Sequence, residues 1–257
     1  MIEVHNLTFG YSATEDGQIL KGVDFAAKTG KLTALIGTNG AGKSTLLKTI
    51  MGILKGKGEI SVNGKPVSQY STKDFSSTVS YLSQDNDCKV NLSVFEVVML
   101  GRMGSMSFRV SDEDIAATQE VLERLNLQRF ASRSIMELSG GQRQLVFMAQ
   151  ALVKEPKILI LDEPTSALDL HKQFDLLTLL KNLTQENDFT TLVTLHHLDL
   201  AAMFADEIIV LKEGRVYAQG APKDIFTEAM MEDVYRVKTK IYIDDNGLPH
   251  VIPLEAI

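Results

Sequence analysis

Gly37-Thr38-Asn39-Gly40-Ala41-Gly42-Lys43-Ser44 is the stretch of sequence that decides the fold. It fits the pattern G-x-x-x-x-G-K-[ST], which binds phosphate when it joins a strand to a helix. The flanking residues predict that context: Leu32 to Ile36 is an apolar run typical of a buried strand, and Ser44 to Met51 has helical composition, with Gly52 as a stop. The sequence therefore predicts an α/β fold with a phosphate-binding loop between a strand and a helix.

The residue types in this loop suit the phosphates of a nucleotide. Glycines let backbone amides approach phosphate oxygens closely, and the N-terminus of the following helix adds a positive end. Lys43 is expected to reach the β- and γ-phosphates, the Ser44 hydroxyl to ligate Mg²⁺, and Thr45 to add a contact to the α-phosphate. We therefore assign the whole stretch from 37 to 45 to nucleotide binding.

A pair of acids supplies the second half of the predicted site. Ile158 to Leu161 is a four-residue apolar run, and Asp162 and Glu163 follow it directly. Successive side chains diverge at the end of a strand, so one carboxylate can serve a metal and the next an attacking water. We assign Asp162 to Mg²⁺ and Glu163 to the role of general base.

Composition limits the class of protein. The chain has 257 residues and a net charge of −7, and it contains no basic run that would suit a nucleic acid partner. No apolar stretch is long enough to span a membrane, and no secretory leader is present at Met1 to Gly10, so we expect the chain to remain in the cytosol. Cys88 is the sole cysteine, which we interpret as an ordinary free thiol.

The N-terminal and central patterns indicate strands first and helices later. Val4 to Phe9 and Val23 to Ala27 predict antiparallel strands around the turn-rich stretch Ser12 to Gly17. A helical pattern extends from Ser93 to about Lys154, and Ser93 with Glu96 forms a capping box. Ser111 opens a second helix with a predicted buried face formed by Ile115, Thr118, Leu122 and Leu125.

The C-terminal third returns to alternating helix and strand. Leu170 to Leu183 predicts an amphipathic helix, and Thr190 to Leu195 predicts the next buried strand. Lys240 to Ile243 and His250 to Ile252 flank Asp245-Asn246-Gly247, which predicts a hairpin because both Asn and Gly tolerate positive φ. These elements predict an open, mostly parallel sheet with a helical insertion.

Leu138-Ser139-Gly140-Gly141-Gln142 resembles, letter for letter, the LSGGQ signature of ABC ATPases. The residues also have a physical rationale of their own, because Ser139, Gly140 and Gly141 lie where a predicted helix begins and can form an anion site. The resemblance extends over essentially the whole chain. It implies a P-loop NTPase core, an N-terminal antiparallel β subdomain and an inserted α-helical signature subdomain.

Other positions are similar to the family one by one. Tyr11 resembles the aromatic residue that stacks on adenine, and Gln84 resembles the Q-loop glutamine, which contributes to the Mg²⁺ site and to catalysis. The segment from Ser166 to Asp169 resembles the D-loop. His196 resembles the switch histidine, but His197 adjoins it, so either imidazole could reach the γ-phosphate; we favour His196 from its distance to the preceding strand.

The resemblance implies one ABC nucleotide-binding domain over 1–257. Within it we expect a helical subdomain at about 86–155 and a C-terminal helix and hairpin extension at about 221–257. The family's ATPase subunits dimerise head to tail, so ATP and Mg²⁺ held by Lys43 and Ser44 of one copy would be closed over by residues 139–142 of the other. In the closed dimer Lys43, Glu163, His196 and Gln84 are the expected catalytic residues.

The partner implied for a stand-alone subunit of this kind is an integral-membrane permease dimer. The segment from Gln84 to Gly104 is the expected docking face, and an extracytoplasmic substrate-binding protein would take part indirectly. The subunit would then lie at the cytoplasmic face of the cell membrane. No nucleic acid partner is expected.

Shorter patterns resemble the ATPases of iron–siderophore, haem and cobalamin importers. They are the segment Val97 to Arg102, the triplet Asp233-Val234-Tyr235 and the tail from Asp244 to Leu254. We therefore predict a motor for uptake of metal chelates. The alternatives are a soluble ABC ATPase that acts as an assembly factor, as in iron–sulfur cluster machinery, an importer motor for another small substrate, and a regulatory nucleotide-binding module.

Overall fold

The computed structural model describes residues 1–12, 17–84, 91–102 and 110–257. The predicted free thiol Cys88 lies outside these residues, as do parts of the predicted turn at Ser12 to Gly17 and of the predicted docking segment. The chain forms two compact units, one of Met1–Gln69 with Leu177–Ile257 and the other of Tyr70–Leu176. The predicted helical subdomain at about 86–155 falls within the second unit. No helix of the described residues is long and apolar enough to cross a membrane.

The first unit begins with an antiparallel sheet in the order β2-β1-β4-β5. Val4 of β1 pairs with Phe25 of β2, so the two predicted N-terminal strands are confirmed as neighbours. Their buried residues include Val4, Leu7 and Leu20. The strands are β1 (Ile2–Gly10), β2 (Gln18–Ala27), β4 (Lys57–Val62) and β5 (Lys65–Pro66).

A second set of strands in this unit has the order β10-β9-β3-β8. β3 runs parallel to both β8 and β9, and β10 pairs with β9 in antiparallel fashion. All five residues of β3 and of β8 are buried, which explains why their sequences are continuously apolar or Thr-rich and do not alternate. These strands are β3 (Leu32–Ile36), β8 (Thr190–Thr194), β9 (Glu207–Lys212) and β10 (Arg215–Gly220).

Helices α1 (Lys43–Ile50) and α7 (Leu198–Phe204) also belong to the first unit. The first helix starts at Lys43, one residue earlier than predicted. It ends at Ile50, and Met51 is its C-cap residue, directly before the predicted stop at Gly52. The C-terminal part of the unit contains α8 (Pro222–Ile225), α9 (Glu228–Met230), a π-helical turn (Met231–Tyr235), β11 (Val237–Ile243) and β12 (Pro249–Ala256).

The predicted C-terminal hairpin is confirmed, but the conformation of its turn differs from the expectation. β11 and β12 are antiparallel, with Tyr242 opposite His250. Only Gly247 has a positive φ, of 78°, and Asn246 is not among the left-handed residues. Asp244 explains the difference, because its Oδ1 accepts the backbone N–H groups of Asn246 and Leu248 at 2.9 and 2.8 Å and so forms a longer turn.

The second unit contains a parallel pair of strands and the predicted helices. β6 pairs with β7, and all four residues of β7 are buried as predicted. The elements are α2 (Thr72–Thr78), β6 (Val79–Leu82), α3 (Val94–Met99), α4 (Asp112–Arg124), α5 (Gly140–Leu152) and β7 (Ile158–Leu161). Short 3-10 turns occupy Leu100–Arg102, Gln128–Phe130 and Ile135–Glu137. Helix α6 (Leu170–Glu186) contains the boundary between the units.

Side chains cap the helices of the second unit where the sequence predicts. Ser93 and Glu96 form the expected capping box, and Ser111 forms a second one with Asp114. On α4 the predicted apolar face is largely correct, since Thr118, Leu122 and Leu125 are buried. Ile115 is the exception because 37% of its surface is exposed.

Candidate functional site

The phosphate loop connects the buried strand β3 to helix α1 and has the shape of an open cradle. Gly37 is buried and has a φ of 146°, and a Cβ at this position would overlap the carbonyl oxygen of Leu211. Only glycine therefore fits where the strand turns into the loop. At the tip, Gly40 is exposed and a Cβ there would meet no atom within 4 Å, so a ligand could approach its backbone closely.

Lys43 places a buried ammonium group inside this loop. Its Nζ donates to the carbonyl oxygens of Gly37 at 2.8 Å and Thr38 at 3.1 Å, and the residue is only 7% exposed. A buried cation is costly unless an anion or several acceptors compensate it. α1 begins at Lys43, so the N–H groups of its first turn include those of Ser44 and Thr45. These groups give the N-terminus of the helix a partial positive charge, which favours a bound anion.

His196 lies at the same sheet edge as the phosphate loop. β8 is the parallel neighbour of β3, with Thr194 opposite Leu35, and the chain reaches His196 two residues later. Carboxyl ends of neighbouring parallel strands meet at one edge, where α/β proteins bind ligands. His197 is the N-cap residue of α7, but its side chain makes no capping hydrogen bond.

Tyr11 follows β1 on the hairpin that packs against the loop. Gly10 pairs with Gln18, and the adjacent residues Ile19 and Leu20 of β2 face Gly42. Tyr11 is 71% exposed, and its ring makes an edge-on contact with the Phe9 ring at 5.0 Å between ring centroids. An exposed aromatic face held by a neighbouring ring is suited to stacking on a planar base.

The acidic pair of the second unit follows β7 as expected. Asp162 is 1% exposed, whereas Glu163 is half-buried and has a left-handed φ of 51°. Gln84, which follows β6, donates from Nε2 to Glu163 Oε2 at 2.7 Å. β6 and β7 are parallel neighbours with Leu82 opposite Leu161, so the sheet itself brings the glutamine and the predicted base together.

The signature residues form the capped start of helix α5. The Ser139 hydroxyl accepts the Gln142 N–H at 3.3 Å, and Gln142 Oε1 accepts the Ser139 N–H at 2.9 Å. A Cβ at Gly141 would lie 2.9 Å from the carbonyl oxygen of Ala167, which places the signature against the predicted D-loop. A Cβ at Gly140 would meet no atom within 4 Å, and this residue has no positive φ, so the fold of this unit does not require glycine there.

The structure describes every predicted residue of the nucleotide site, most of them in the loops that follow strands or precede helices. In the first unit the loop from Gly37 to Thr45, His196 and the hairpin carrying Tyr11 gather at one sheet edge. In the second unit Gln84 contacts Glu163, and residues 139–142 lie at a helix start. Sequence reasoning assigned no part in the site to Leu211, although its carbonyl oxygen lies 2.2 Å from the position that a Cβ of Gly37 would take. No local sequence signal could have identified this contact between residues so far apart along the chain.

Comparisons with known proteins identify the family. The sequence profile described as ABC transporter matches residues 20–166. The Iron(3+)-hydroxamate import ATP-binding protein FhuC of Bacillus subtilis is 37% identical over 95% of this chain and 90% of its own length. The Ferric enterobactin transport ATP-binding protein FepC of Escherichia coli is 36% identical over 96% of this chain and 92% of its own length.

Solved structures confirm the predicted fold class. A chain of an inward-facing ABC transporter assigned to the metal-chelate type has a TM-score of 0.83 and 29% identity, covering 99% of this chain and 97% of that one. A dimeric bacterial ABC transporter cassette has a TM-score of 0.78 and 30% identity, covering 86% of this chain and 99% of that one. From its phosphate loop, its signature and these similarities, the chain belongs to the ABC transporter family, as one of the family's ATP-binding proteins, which are ATPases.

Proposed function

We propose that this protein is the ATP-hydrolysing motor subunit of a membrane importer for ferric siderophores or related metal chelates. The observation that carries the ATPase role is the combination of a built phosphate cradle around Lys43 with the hydrogen-bonded pair Gln84 and Glu163. The cargo class rests on similarity over nearly the whole chain to proteins named for import of ferric hydroxamates and ferric enterobactin. The assembly-factor alternative has no such support.

The residues of the phosphate loop fit a triphosphate. The Lys43 ammonium is buried and donates to two carbonyl oxygens, and phosphate oxygens would offer it charge-assisted hydrogen bonds. Open space above Gly40 leaves room for phosphate beside the backbone, and the exposed ring of Tyr11 would stack on adenine. We therefore assign residues 37–45 and Tyr11 to ATP.

The residues also fit Mg²⁺, which when bound would neutralise charge on the β- and γ-phosphates. Mg²⁺ prefers oxygen ligands and keeps several water and phosphate ligands of its own, so it needs few protein groups. Each unit offers suitable oxygens: the Ser44 hydroxyl at the start of α1, the buried Asp162 carboxylate after β7 and the amide of Gln84. No cluster of three or more acidic, histidine or cysteine ligands occurs among the described residues.

For hydrolysis we assign Glu163 as the general base. Its left-handed backbone, of a kind that costs a non-glycine residue roughly 1 kcal/mol, turns the chain sharply after β7, and Gln84 holds one carboxylate oxygen at 2.7 Å. A carboxylate held in this way can accept a proton from an attacking water. Lys43 and His196 would stabilise charge that develops on the γ-phosphoryl group.

We further propose a head-to-tail homodimer that closes over ATP. The supporting observation is Gly140, which is exposed and which no contact within its own unit requires to be glycine. A close approach by a phosphate group of the partner's ATP would explain it, with the α5 N-terminus and the Ser139 hydroxyl as further donors. The similarity to a cassette solved as a dimer supports the same arrangement.

The permease partner would dock on the second unit. A cavity of about 270 Å³ is lined there by residues of β6, α5 and the turn after α3, including Leu100, Gly101 and Phe147. Leu100 is 41% exposed, so an apolar side chain is presented beside the cavity. A helix of a permease dimer could bury Leu100 here, which would hold this subunit at the cytoplasmic membrane face, with any substrate-binding protein acting through the permease.

Uptake by whole cells tests the proposed function. Cells carrying Glu163→Gln in place of the native residue should lose ATP-dependent accumulation of a ⁵⁵Fe-labelled chelate, measured with a hydroxamate and a catecholate siderophore. Cells carrying Glu155→Gln, the same change at another left-handed glutamate of the second unit, should accumulate iron normally. Equal accumulation in all strains would exclude the proposed cargo. If Glu163→Gln nevertheless lost ATPase activity in that case, the ATPase role would stand and only the cargo would be wrong.

A further inference from the structure

Gly214 is hydrogen-bonded through both of its backbone groups to other parts of the first unit. Its N–H donates to the carbonyl oxygen of Ala41 in the phosphate loop at 3.1 Å, and its carbonyl oxygen accepts the N–H of Lys21 on β2 at 2.8 Å. Ala41 is buried, and β2 pairs with the strand that leads to Tyr11. One residue therefore joins the loop assigned to the phosphates to the β1–β2 hairpin that carries the residue assigned to adenine.

The turn between β9 and β10 leaves these two backbone groups available. Its central residues are Glu213 and Gly214, which both have a positive φ, of 48° and 78°. Lys212 and Arg215 pair on either side of them. A two-residue turn of this kind makes its own hydrogen bond between the flanking residues. The hairpin therefore does not need the N–H and carbonyl groups of Gly214, and both can bond to other elements.

The turn, β2 and the phosphate loop are also in close contact at this point. A Cβ at Gly214 would overlap the carbonyl oxygen of Ile19 on β2, so only glycine fits beside this strand. The side chains of Ile19 and Leu20 in turn lie 3.3 and 3.2 Å from the position that a Cβ of Gly42 would take. Any atom added at Gly214 would therefore push β2 away from the turn that holds it against the loop.

We propose that Gly214 is a positioning residue for nucleotide binding, which fixes the distance between the phosphate loop and the β1–β2 hairpin. This distance decides whether one nucleotide can reach both the loop and the ring of Tyr11. The inference rests on the proposed roles of the loop and of Tyr11 in binding ATP. Gly214 does not touch the nucleotide in this proposal; it acts through the backbones of Ala41 and Lys21.

The affinity gained from two linked contacts depends on the distance between them. The adenine and the phosphates of a nucleotide are covalently joined, so phosphates bound in the loop keep the base near Tyr11 only while the ring lies within reach. If β2 moves relative to the loop, the base has to be ordered again on binding or it loses the stack. The hydrogen bonds of Gly214 prevent this movement in the folded unit.

Gly214→Ala tests the proposal with MgADP, which has both the base and phosphates and is not hydrolysed. The new methyl group should separate β2 from the turn. We therefore expect the Kd for MgADP to rise by roughly fivefold or more, the lower range for loss of one base–aromatic stack. Isothermal titration calorimetry measures this change, and urea unfolding without nucleotide shows whether the variant is folded under the same conditions.

Gly64→Ala is the matched control. Asn63 and Gly64 form another two-residue turn of the first unit, between β4 and β5, and both have a positive φ, of 51° and 75°. Alanine at Gly64 therefore has the same unfavourable backbone conformation as alanine at Gly214. A Cβ at Gly64 would meet no atom within 4 Å, however, so this variant should bind MgADP like the wild type.

Tyr11→Ala separates the positioning role from a general loss of structure. This variant alone should raise the Kd for MgADP by a similar factor, roughly fivefold or more, because the stack is absent. Adding Gly214→Ala to it should raise the Kd by less than about a further twofold, because the distance no longer matters to a nucleotide held by its phosphates alone. A structural role, or a disturbance of the loop alone, would give independent losses that multiply.

A measurement that leaves Gly214 unchanged tests its hydrogen bond directly. Glu213-Gly214 is the only Glu-Gly pair in the sequence, so protein labelled with ¹³C-carbonyl glutamate and ¹⁵N-glycine gives one selected amide signal. We expect this amide proton to exchange slowly with D₂O, because Ala41 accepts it. Saturating MgADP should slow the exchange further in the wild type and less in Tyr11→Ala, since separating the loop from β2 then also breaks the stack.

The outcomes distinguish this role from the proposed function. Fast exchange of the Gly214 amide proton, unchanged affinity in Gly214→Ala, or losses that multiply in the double variant would each overturn the role of Gly214. If Gly214→Ala does not fold, the two exchange experiments decide, and equal slowing by MgADP in the wild type and Tyr11→Ala would overturn the role. A wild type that binds no nucleotide would instead overturn the proposed function.

Discussion

Glu163 combines two features that suit a general base, a sharp backbone turn with φ at 51° and a side-chain oxygen that accepts a hydrogen bond from Gln84. Glu163→Gln keeps the shape of the side chain and an oxygen that Gln84 can reach, but it cannot take a proton. We expect hydrolysis at saturating MgATP to fall by at least about a hundredfold, the lower range for loss of a general base. Phosphate release in single-turnover experiments measures this loss.

Lys43→Ala provides the contrast at the same scale. The lysine should act mainly in binding, so this variant should raise the Kd for MgATP by roughly tenfold or more, whereas Glu163→Gln should bind like the wild type. Glu155→Gln changes another left-handed glutamate, one that is exposed, and should leave both quantities unchanged. Comparable hydrolysis by wild type and Glu163→Gln would remove the general-base assignment.

The adjacent histidines make a second contrast between neighbouring residues. Both are exposed, and His197 caps α7 only through its backbone. His196 comes first after β8 and is closer along the chain to the sheet edge that carries the phosphate loop. His196→Ala should therefore lower turnover by about a hundredfold or more, and His197→Ala should change it little. A greater loss in His197→Ala would mean that the second imidazole serves the γ-phosphate.

At the scale of elements, α4 depends on a charged cap. The Asp114 carboxylate accepts from Arg102 Nε at 2.6 Å, from the Ser111 hydroxyl at 2.7 Å and from the Ser111 N–H at 3.0 Å. The hydrogen bond from Arg102, followed by those from Ser111, lowers the pKa of Asp114 to about 2. The folded-state pKa is thus below the value of about 3.9 for an unfolded chain, so this contribution is present above pH 4 and disappears as the pH falls to about 2.

Asp114→Asn tests this cap by urea unfolding at several pH values. The variant should be less stable than the wild type by a constant difference from pH 7 to about pH 5, and the difference should shrink below about pH 4 as the wild-type carboxylate is protonated. Asp112→Asn is the control, because Asp112 is an exposed acid of the same first turn. A difference that does not depend on pH would show that the charge of Asp114 contributes nothing.

The elements also show what the sequence can predict. β3 and β7 match their predicted bounds. A buried run between polar residues leaves little choice of where the strand begins and ends. Caps at Ser93, Ser111 and Ser139 were predictable from local chemistry. Ile115 was expected on the buried face of α4 but is exposed, because helical periodicity does not show where the neighbouring layer ends. The close approach of the Leu211 carbonyl group to Gly37 depends on tertiary packing and had no local signal.

At the scale of the whole molecule, the proposed motor needs two copies. Glu163→Gln should accumulate as a dimer with MgATP and remain a monomer with MgADP, because blocked hydrolysis traps the closed state. Sedimentation velocity at fixed protein concentration measures this. Gly140 makes the experiment specific, since a Cβ there meets no atom of its own unit within 4 Å and its φ is not positive.

Adding Gly140→Ala to Glu163→Gln should therefore leave the free energy of unfolding unchanged or raise it slightly, by up to about 1 kcal/mol, since alanine favours the helix. The same change should abolish the ATP-dependent dimer, because the new methyl group would enter the space proposed for the partner's γ-phosphate. ATP binding to the separate subunits should persist, since the phosphate loop is untouched. If the double variant dimerises as strongly as Glu163→Gln alone, the space above Gly140 does not belong to the closed interface, and the head-to-tail arrangement proposed here is wrong.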